Sequence, residues 1–473
     1  MQIRFDRAIL SAFVVVALAL VGLLVAQATQ MASNSYTEGW FAYRVLNLLH
    51  GDKLYWPADA WVTNNYPPLG LLLVGGVARL GVDPLFAARI VSFIGFAACA
   101  TFIGLAVRRA EDDVMAGFCA AACFAATFAT TFDGGVGHGD PQVPGEAFML
   151  AGLYLLVRAP QAPRAHIGAA LLMAVGLFTK HNIIALPLTV LFWLGWHDRR
   201  AALRFAVAGL AAGATGLALC GLVYGADFYS SLATPRPWEI ISGLQHAILW
   251  LDPLKPFAVF ALLAAALPGG RTARLFALYI LVATLIGVVA LLGRGTASNM
   301  LFETAIAGAL CAGAVTARLP RVIHGRQQTI LRGAIIAAVA ISAVFSPEIT
   351  RLQRMIPGRT DLNRNITAIS PVVTVLRQAG EPVLCEQPLY CYWAGRAETL
   401  EPFNYGQKVL TGHMDQAPLL RRIAAGEFKA IAIDGTPASH GASLYFAPVW
   451  DAILMHYRQL PGDFGKTSVF VPR

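Results

Sequence analysis

The sequence predicts a mainly α, polytopic bundle of about eleven transmembrane helices, followed by a small α/β extracytoplasmic C-terminal domain. Three observations predict it. Of the 473 residues, 57% are hydrophobic and 13% are charged, about half of the roughly 25% charged residues usual in soluble proteins. Long apolar runs alternate with small arginine groups, and a spanning helix needs about 20 apolar residues. After about Pro347 the composition turns polar and mixed. The net charge of +9 does not point to nucleic acid, because the basic residues are dispersed between apolar runs instead of gathered on one soluble face.

The first run, from about Ile9 to Ala28, follows Arg4 and Arg7, and the positive-inside bias then puts the N-terminus in the cytoplasm. A cleaved signal peptide is the rival reading, since Ala26-Gln27-Ala28 resembles a small-residue cleavage site, although the apolar run is long for one. Either reading leaves the next loop outside. Arg108-Arg109, Arg158 with Arg164, Arg199-Arg200, Arg271 with Arg274, and Arg318 with Arg321 and Arg326 each separate two apolar segments and read as cytoplasmic turns. The spans fall at about 9–28, 84–107, 114–132, 144–158, 165–181, 183–197, 204–224, 254–270, 273–292, 301–317 and 329–346. The apolar stretch 67–81 is left out, because counting it would put Arg108-Arg109 outside; it reads as a helix lying along the outer interface. An odd number of spans carries the C-terminus outside.

Residues 1–346 thus form a transmembrane domain with an outer loop at 29–83, and residues 347–473 a soluble domain large enough for its own core. Within the latter, 382–384 and 430–433 read as strands and 415–425 as a helix. Five of the seven cysteines lie in apolar spans and read as packing residues; Cys385 and Cys391 lie outside, where a disulfide is permitted.

The outer loops hold the candidate chemistry. In the first, Tyr36-Thr37-Glu38 opens a helix and the loop ends in Asn64-Asn65-Tyr66-Pro67-Pro68-Leu69. Glu38 reads either as an acid favoured by the helix dipole or as a general base for a hydroxyl. The second loop, 133–142, carries four glycines with His138 and Asp140, and Glu146 follows just inside the next span. Close backbone approach to a ligand, a hydrogen-bonded cluster with Glu38, a metal site and a plain solvated turn all fit this pattern. Lys180-His181-Asn182 interrupts apolar sequence at a tight outer hairpin; a lysine there either snorkels or meets an anion such as a phosphate. Arg236 and Arg294 are further isolated cations on the outer side, and Arg294 opens a polar stretch running through Asn299 to Glu303. No phosphate-binding P-loop, dinucleotide-binding glycine motif or nucleophile elbow is present, which argues against an ATP-driven pump or a cytoplasmic nucleotide-sugar enzyme.

The order of these parts resembles the GT-C glycosyltransferases, in particular the bacterial members related to protein O-mannosyltransferases, aminoarabinose transferases and the RgtA/B/C/D-like group (glycosyltransferase family 39-like). The resemblance rests on one span, a long outer loop with an acid near its start, Tyr66-Pro67-Pro68-Leu69, a second acidic loop, Lys180 at an outer hairpin and an outer tail domain. Asn299-Met300-Leu301-Phe302-Glu303 looks like the family's opening of a late span. Trp393-Ala394-Gly395-Arg396 and Glu401-Pro402-Phe403 look like its tail motif.

The resemblance implies an integral-membrane, inverting transfer of a sugar from a polyprenyl-phosphate donor to a hydroxyl of an envelope glycan, lipid or protein. It places the enzyme in a bacterial inner membrane with its active site and C-terminus on the periplasmic side. It gives Glu38 and Asp140 the catalytic roles, Lys180 and Arg294 the donor phosphate, and Tyr36, Tyr66, His138, His181, Asn299 and Glu303 the substrates. No cofactor is required, with a divalent metal as an alternative. The family's first-loop pair is often Asp-Glu, whereas this chain has Thr37-Glu38, so either Glu38 or Asp140 must take over if the missing Asp is the base. A transporter for a lipid-linked saccharide and an inactive scaffold are the competing readings. A transporter is expected to pair broken helices in two related halves with charges near mid-depth.

Overall fold

The computed structural model describes residues 5–31, 36–268, 270–323, 325–344, 360–435, 444 and 446–473. Among the described residues, eight helical segments are long and apolar enough to cross a membrane: Phe5–Ala28 (α1), Pro84–Glu111 (α4), Val114–Thr131 (α5), Arg199–Tyr224 (α9), Ile240–Ala266 (α11 and α12), Arg271–Leu291 (α13), Ser298–Val322 (containing α14, Phe302–Arg318) and Arg326–Val344 (α15). The three other predicted spans are shorter helices, Gln142–Arg158 (α6), Pro163–Thr179 (α7) and Ala185–His197 (α8). The chain is a multi-pass membrane protein. The stretch read as an interfacial helix forms α3, Pro68–Ala78, whose 11 residues rise only about 16 Å at 1.5 Å each, half the hydrocarbon core.

Local chemistry sets the helix ends. Asp83 accepts the Leu85 N–H at 2.9 Å, with Pro84 as the first residue of α4. Asp113 caps α5 and Asp198 caps α9 in the same way. α8 has no local cap. Its first N–H groups, those of Ala185 and Leu186, donate to Glu303 at 3.2 and 2.9 Å, so a carboxylate from α14 satisfies the donors that the sequence leaves open. The stretch between the spans expected at 204–224 and 254–270 is mostly helical: Ala226–Leu232 (α10) and Ile240–Leu251 (α11) flank a short connection carrying Arg236.

The C-terminal portion begins, among the described residues, with helix α16, Thr360–Ala379; the predicted boundary at 347 lies outside them. Its sheet has the order β1-β2-β4-β3, with β1 (Val383–Cys385) parallel to β2 (Ala430–Asp434), and β4 (Thr467–Pro472) antiparallel to β2 and to β3 (Tyr457–Gln459). Helices α17 (Pro388–Trp393), α18 (Pro402–Leu410), α19 (Ala417–Ala424) and α20 (Ala447–His456) complete it. A core of Leu384, Leu419, Ile431, Trp450 and Phe470 is fully buried. Both expected strands and the expected helix are present, and Cys385 and Cys391 form a disulfide.

The tail packs on α2, Tyr36–His50, in the stretch between α1 and α3. A Cβ on Gly39 would lie 2.3 Å from the Leu389 nitrogen, so only glycine permits this approach of α17 to α2. Tyr43 donates to the Arg396 carbonyl at 2.6 Å and Arg44 meets Glu398 at 2.5 Å. The Arg44 guanidinium also lies 4.7 Å from the Trp56 ring.

Candidate active site

Two carboxylate centres form where α2, the glycine-rich loop and the α7–α8 hairpin meet. In the first, Glu38 is fully buried. Arg89 of α4 donates to its two oxygens at 2.8 Å each, and the Gly139 N–H donates at 3.2 Å. His138 lies 3.8 Å away on the same carboxylate. Arg89 also donates to the carbonyls of Ala28 and Gln30, fixing the exit of α1. His138 stands beside Glu38 but beyond hydrogen-bond distance, and Asp140 belongs to the second centre, so only part of the expected Glu38–His138–Asp140 group comes together, around an arginine from outside it, Arg89. An arginine five residues into an otherwise apolar span is costly unless paired, and that cost was the available signal.

In the second centre, Asp140 meets Lys180 at 3.0 Å and accepts the Tyr66 hydroxyl at 3.3 Å. Its other oxygen accepts the Gln142 N–H at 2.8 Å. The Lys180 ammonium stands 3.6 Å from the Tyr66 ring centroid, so the lysine is held by a carboxylate and a π-face together. Burial, then the nearby Asp140 charge, pushes the Tyr66 phenol well above its ordinary range, which keeps it protonated and donating. The Asp140 side chain is 20% exposed, whereas that of Glu38 is 0% exposed. A small cavity lined by Phe41, Gly70, Val74, Ala88, Gly139 and Asp140 borders this pair. Gly70 is required there, since a Cβ would meet the Pro141 ring at 2.6 Å.

The remaining expected residues divide. Asn299 donates to the Gln142 side chain at 2.6 Å and its carbonyl accepts from Gln142 at 2.8 Å, which ties the glycine-rich loop to the start of α14. Glu303 caps α8 and accepts the Tyr279 hydroxyl at 3.2 Å; with buried Glu146 of α6 it lies beneath the site, inside the bundle. His181 is exposed at the hairpin apex. Tyr36 donates to Glu401 of the tail.

Arg294 does not join Lys180. It is 43% exposed and pairs with Glu239 at 2.9 Å. The second cation in the field of Lys180 and Tyr66 is Arg236, one of the isolated outer cations of the sequence. Residues 293–295 turn back along 237–239, and Arg294 braces that connection through Glu239. Among the described residues, no group of three His, Cys, Asp or Glu side chains is placed to hold a metal ion. The two carboxylates instead face cations of the protein, Arg89 and Lys180, a donor environment that does not fit a divalent ion.

Comparison with known proteins bears on this arrangement. The family model of dolichyl-phosphate-mannose-protein mannosyltransferases matches residues 65–224, a stretch containing Tyr66, Arg89, Asp140 and Lys180. ArnT from Cupriavidus metallidurans, solved bound to undecaprenyl phosphate, is similar over 97% of this chain and 97% of its own, with a TM-score of 0.65 at 12% identity. The Archaeoglobus fulgidus oligosaccharyltransferase in its apo form covers 95% of this chain and 73% of its own, with a TM-score of 0.61 at 13% identity. The same organism's AglB, in complex with an inhibitory peptide and a dolichol-phosphate, covers 99% and 74%, with a TM-score of 0.58 at 11% identity. None of the curated proteins matches the chain by sequence. The chain has the fold of the GT-C glycosyltransferases, as the sequence resemblance implied.

Proposed function

We propose that the protein transfers a sugar from a polyprenyl-phosphate donor to a hydroxyl-bearing acceptor, with inversion, at the Asp140–Lys180 centre on the outer side of a bacterial inner membrane. The observation that carries this reading is the half-open ion pair itself: a carboxylate and a lysine, 40 residues apart in sequence, meet at 3.0 Å beside a tyrosine hydroxyl at the ends of the helices. Undecaprenyl phosphate and dolichol-phosphate in similar folds support the donor class.

The chemistry follows from the charges. Before the donor arrives, Asp140 neutralises Lys180. The donor phosphate then competes for the ammonium, which binds phosphate as a point charge, and Arg236 adds a second positive field. The acceptor oxygen attacks the anomeric carbon as the bond to phosphate breaks, and the polyprenyl phosphate leaves as an anion stabilised by these cations. Asp140, released from Lys180, takes the acceptor proton. Such proton transfer contributes about 10²- to 10⁴-fold. Tyr66 orients both groups. Glu38, fully buried with both oxygens held by Arg89 and one by Gly139, instead fixes the loop that presents Asp140. The tail domain, extracytoplasmic like the site, closes over α2.

The test is mass spectrometry of lipid-linked sugars and envelope glycans from cells with and without the protein and with Lys180→Ala. The reading expects one hexose- or pentose-sized modification to disappear in both deficient strains while its lipid-linked donor accumulates. Unchanged glycans in the deletion strain contradict it.

A further inference from the structure

We infer that the C-terminal domain contributes directly to the donor-phosphate site, through Phe403 acting as a positioning residue for Arg236. The inference rests on the donor reading above. Arg236 sits on the short connection between α10 and α11, and among the described residues no carboxylate is within ion-pairing distance of it. Its guanidinium lies 5.5 Å from the centroid of the Phe403 ring. A cation with no carboxylate partner among the described residues, near enough to Lys180 and Tyr66 to act on their charges and resting on a ring, keeps its charge available for an incoming anion.

Three further features hold this pair in place. The connection carrying Arg236 is bridged to the loop after α13: Trp238 pairs with Gly293, Glu239 donates its N–H to the Leu292 carbonyl at 2.7 Å, and Arg294 donates its own to Pro237 at 2.9 Å. The exposed Arg294–Glu239 ion pair closes the same bridge. On the facing side, Phe403 lies against Gly295, where a Cβ would meet the ring at 2.4 Å, and its ring centroid is 6.2 Å from that of Tyr36. Glu401 caps the N-terminus of α18, accepting the Phe403 and Asn404 N–H groups at 3.0 Å, and so sets the direction in which Phe403 projects. A tail residue therefore fixes the attitude of a membrane-domain cation.

The experiment is binding of undecaprenyl phosphate to the purified full-length protein in nanodiscs. Phe403→Leu and Phe403→Met keep apolar volume but remove the π-face; Phe403→Trp restores it. The expected result is a loss of affinity of about two- to thirty-fold in the Leu and Met variants, recovery in Trp, and no further loss when Phe403→Leu is added to Arg236→Ala. Thermal unfolding of each variant is measured alongside. Unchanged affinity in both Leu and Met variants, or additive losses with Arg236→Ala, overturns the inference while leaving the donor reading intact. If Arg236→Ala and Lys180→Ala themselves leave binding unchanged, the donor reading falls and this inference with it.

Discussion

The two carboxylate centres meet the glycine-rich loop at adjacent residues, Glu38 of α2 at Gly139 and Lys180 at Asp140, yet they differ in how they are held. Glu38 is sealed against a bidentate arginine and a backbone N–H. Asp140 is paired with a single lysine and keeps a fifth of its side chain exposed. A fully buried ion pair with both carboxylate oxygens engaged is expensive to open and so serves as a fixture. A partly hydrated pair can exchange one partner for a substrate. In the proposed reading, burial and partner geometry, more than residue type, separate the structural acid from the reactive one.

The largest expected effect breaks the comparison outright. Asp140→Asn is expected to reduce transfer by about 10²- to 10⁴-fold while undecaprenyl phosphate binding holds or tightens, because the amide no longer competes for Lys180. Next, Lys180→Ala is expected to slow transfer by about 10²- to 10³-fold, the effect of losing one preorganised charge-stabilising donor, and to weaken donor binding; turnover at the wild-type rate returns the lysine to a snorkelling role. On the other centre the expected effect is on stability. Glu38→Gln leaves the Arg89 charge buried and unbalanced, so the variant is expected to lose about 3–5 kcal/mol, read as a lower unfolding temperature, whereas Asp140→Asn shifts that temperature little.

The smallest effect concerns the tail. Burial pushes the Glu398 carboxyl up to about 7 against the pull of Arg44. A carboxyl raised on folding favours the folded state fully below its ordinary value near 4.5, and that advantage is lost as pH rises through about 7. The unfolding temperature is therefore expected to fall between pH 5 and pH 8, and Glu398→Gln to flatten the fall. Identical pH profiles for the two proteins would remove Glu398 from the interface energetics.

Much of this was legible in the chain. Runs of apolar residues between arginine groups locate each spanning helix, because hydrocarbon thickness and the positive-inside bias act on composition alone. The strands at 383–385 and 430–434 fall on short apolar runs in otherwise polar sequence. Asp140, Lys180 and Tyr66 stood out because charged and hydroxyl groups at the ends of apolar helices need a partner. What stayed hidden are the pairings. Nothing in spacing tells Glu38 that Arg89, 51 residues on, will take both its oxygens. Arg294 and Arg236 are equivalent as isolated outer cations; only the backbone bridge between Trp238 and Gly293 decides which one braces and which one lies near Lys180. The long-range cap from Glu303 to α8 is invisible for the same reason, since its donors lie 118 and 117 residues away.

The most direct test of the division between the two acids is made in cells that express Asp140→Asn as their only copy, at wild-type levels of folded protein. Mass spectrometry of the envelope glycans, with undecaprenyl phosphate binding measured on the purified variant, reads both halves of the claim. The account predicts a missing sugar together with intact lipid binding. Wild-type glycans in that strain would contradict it.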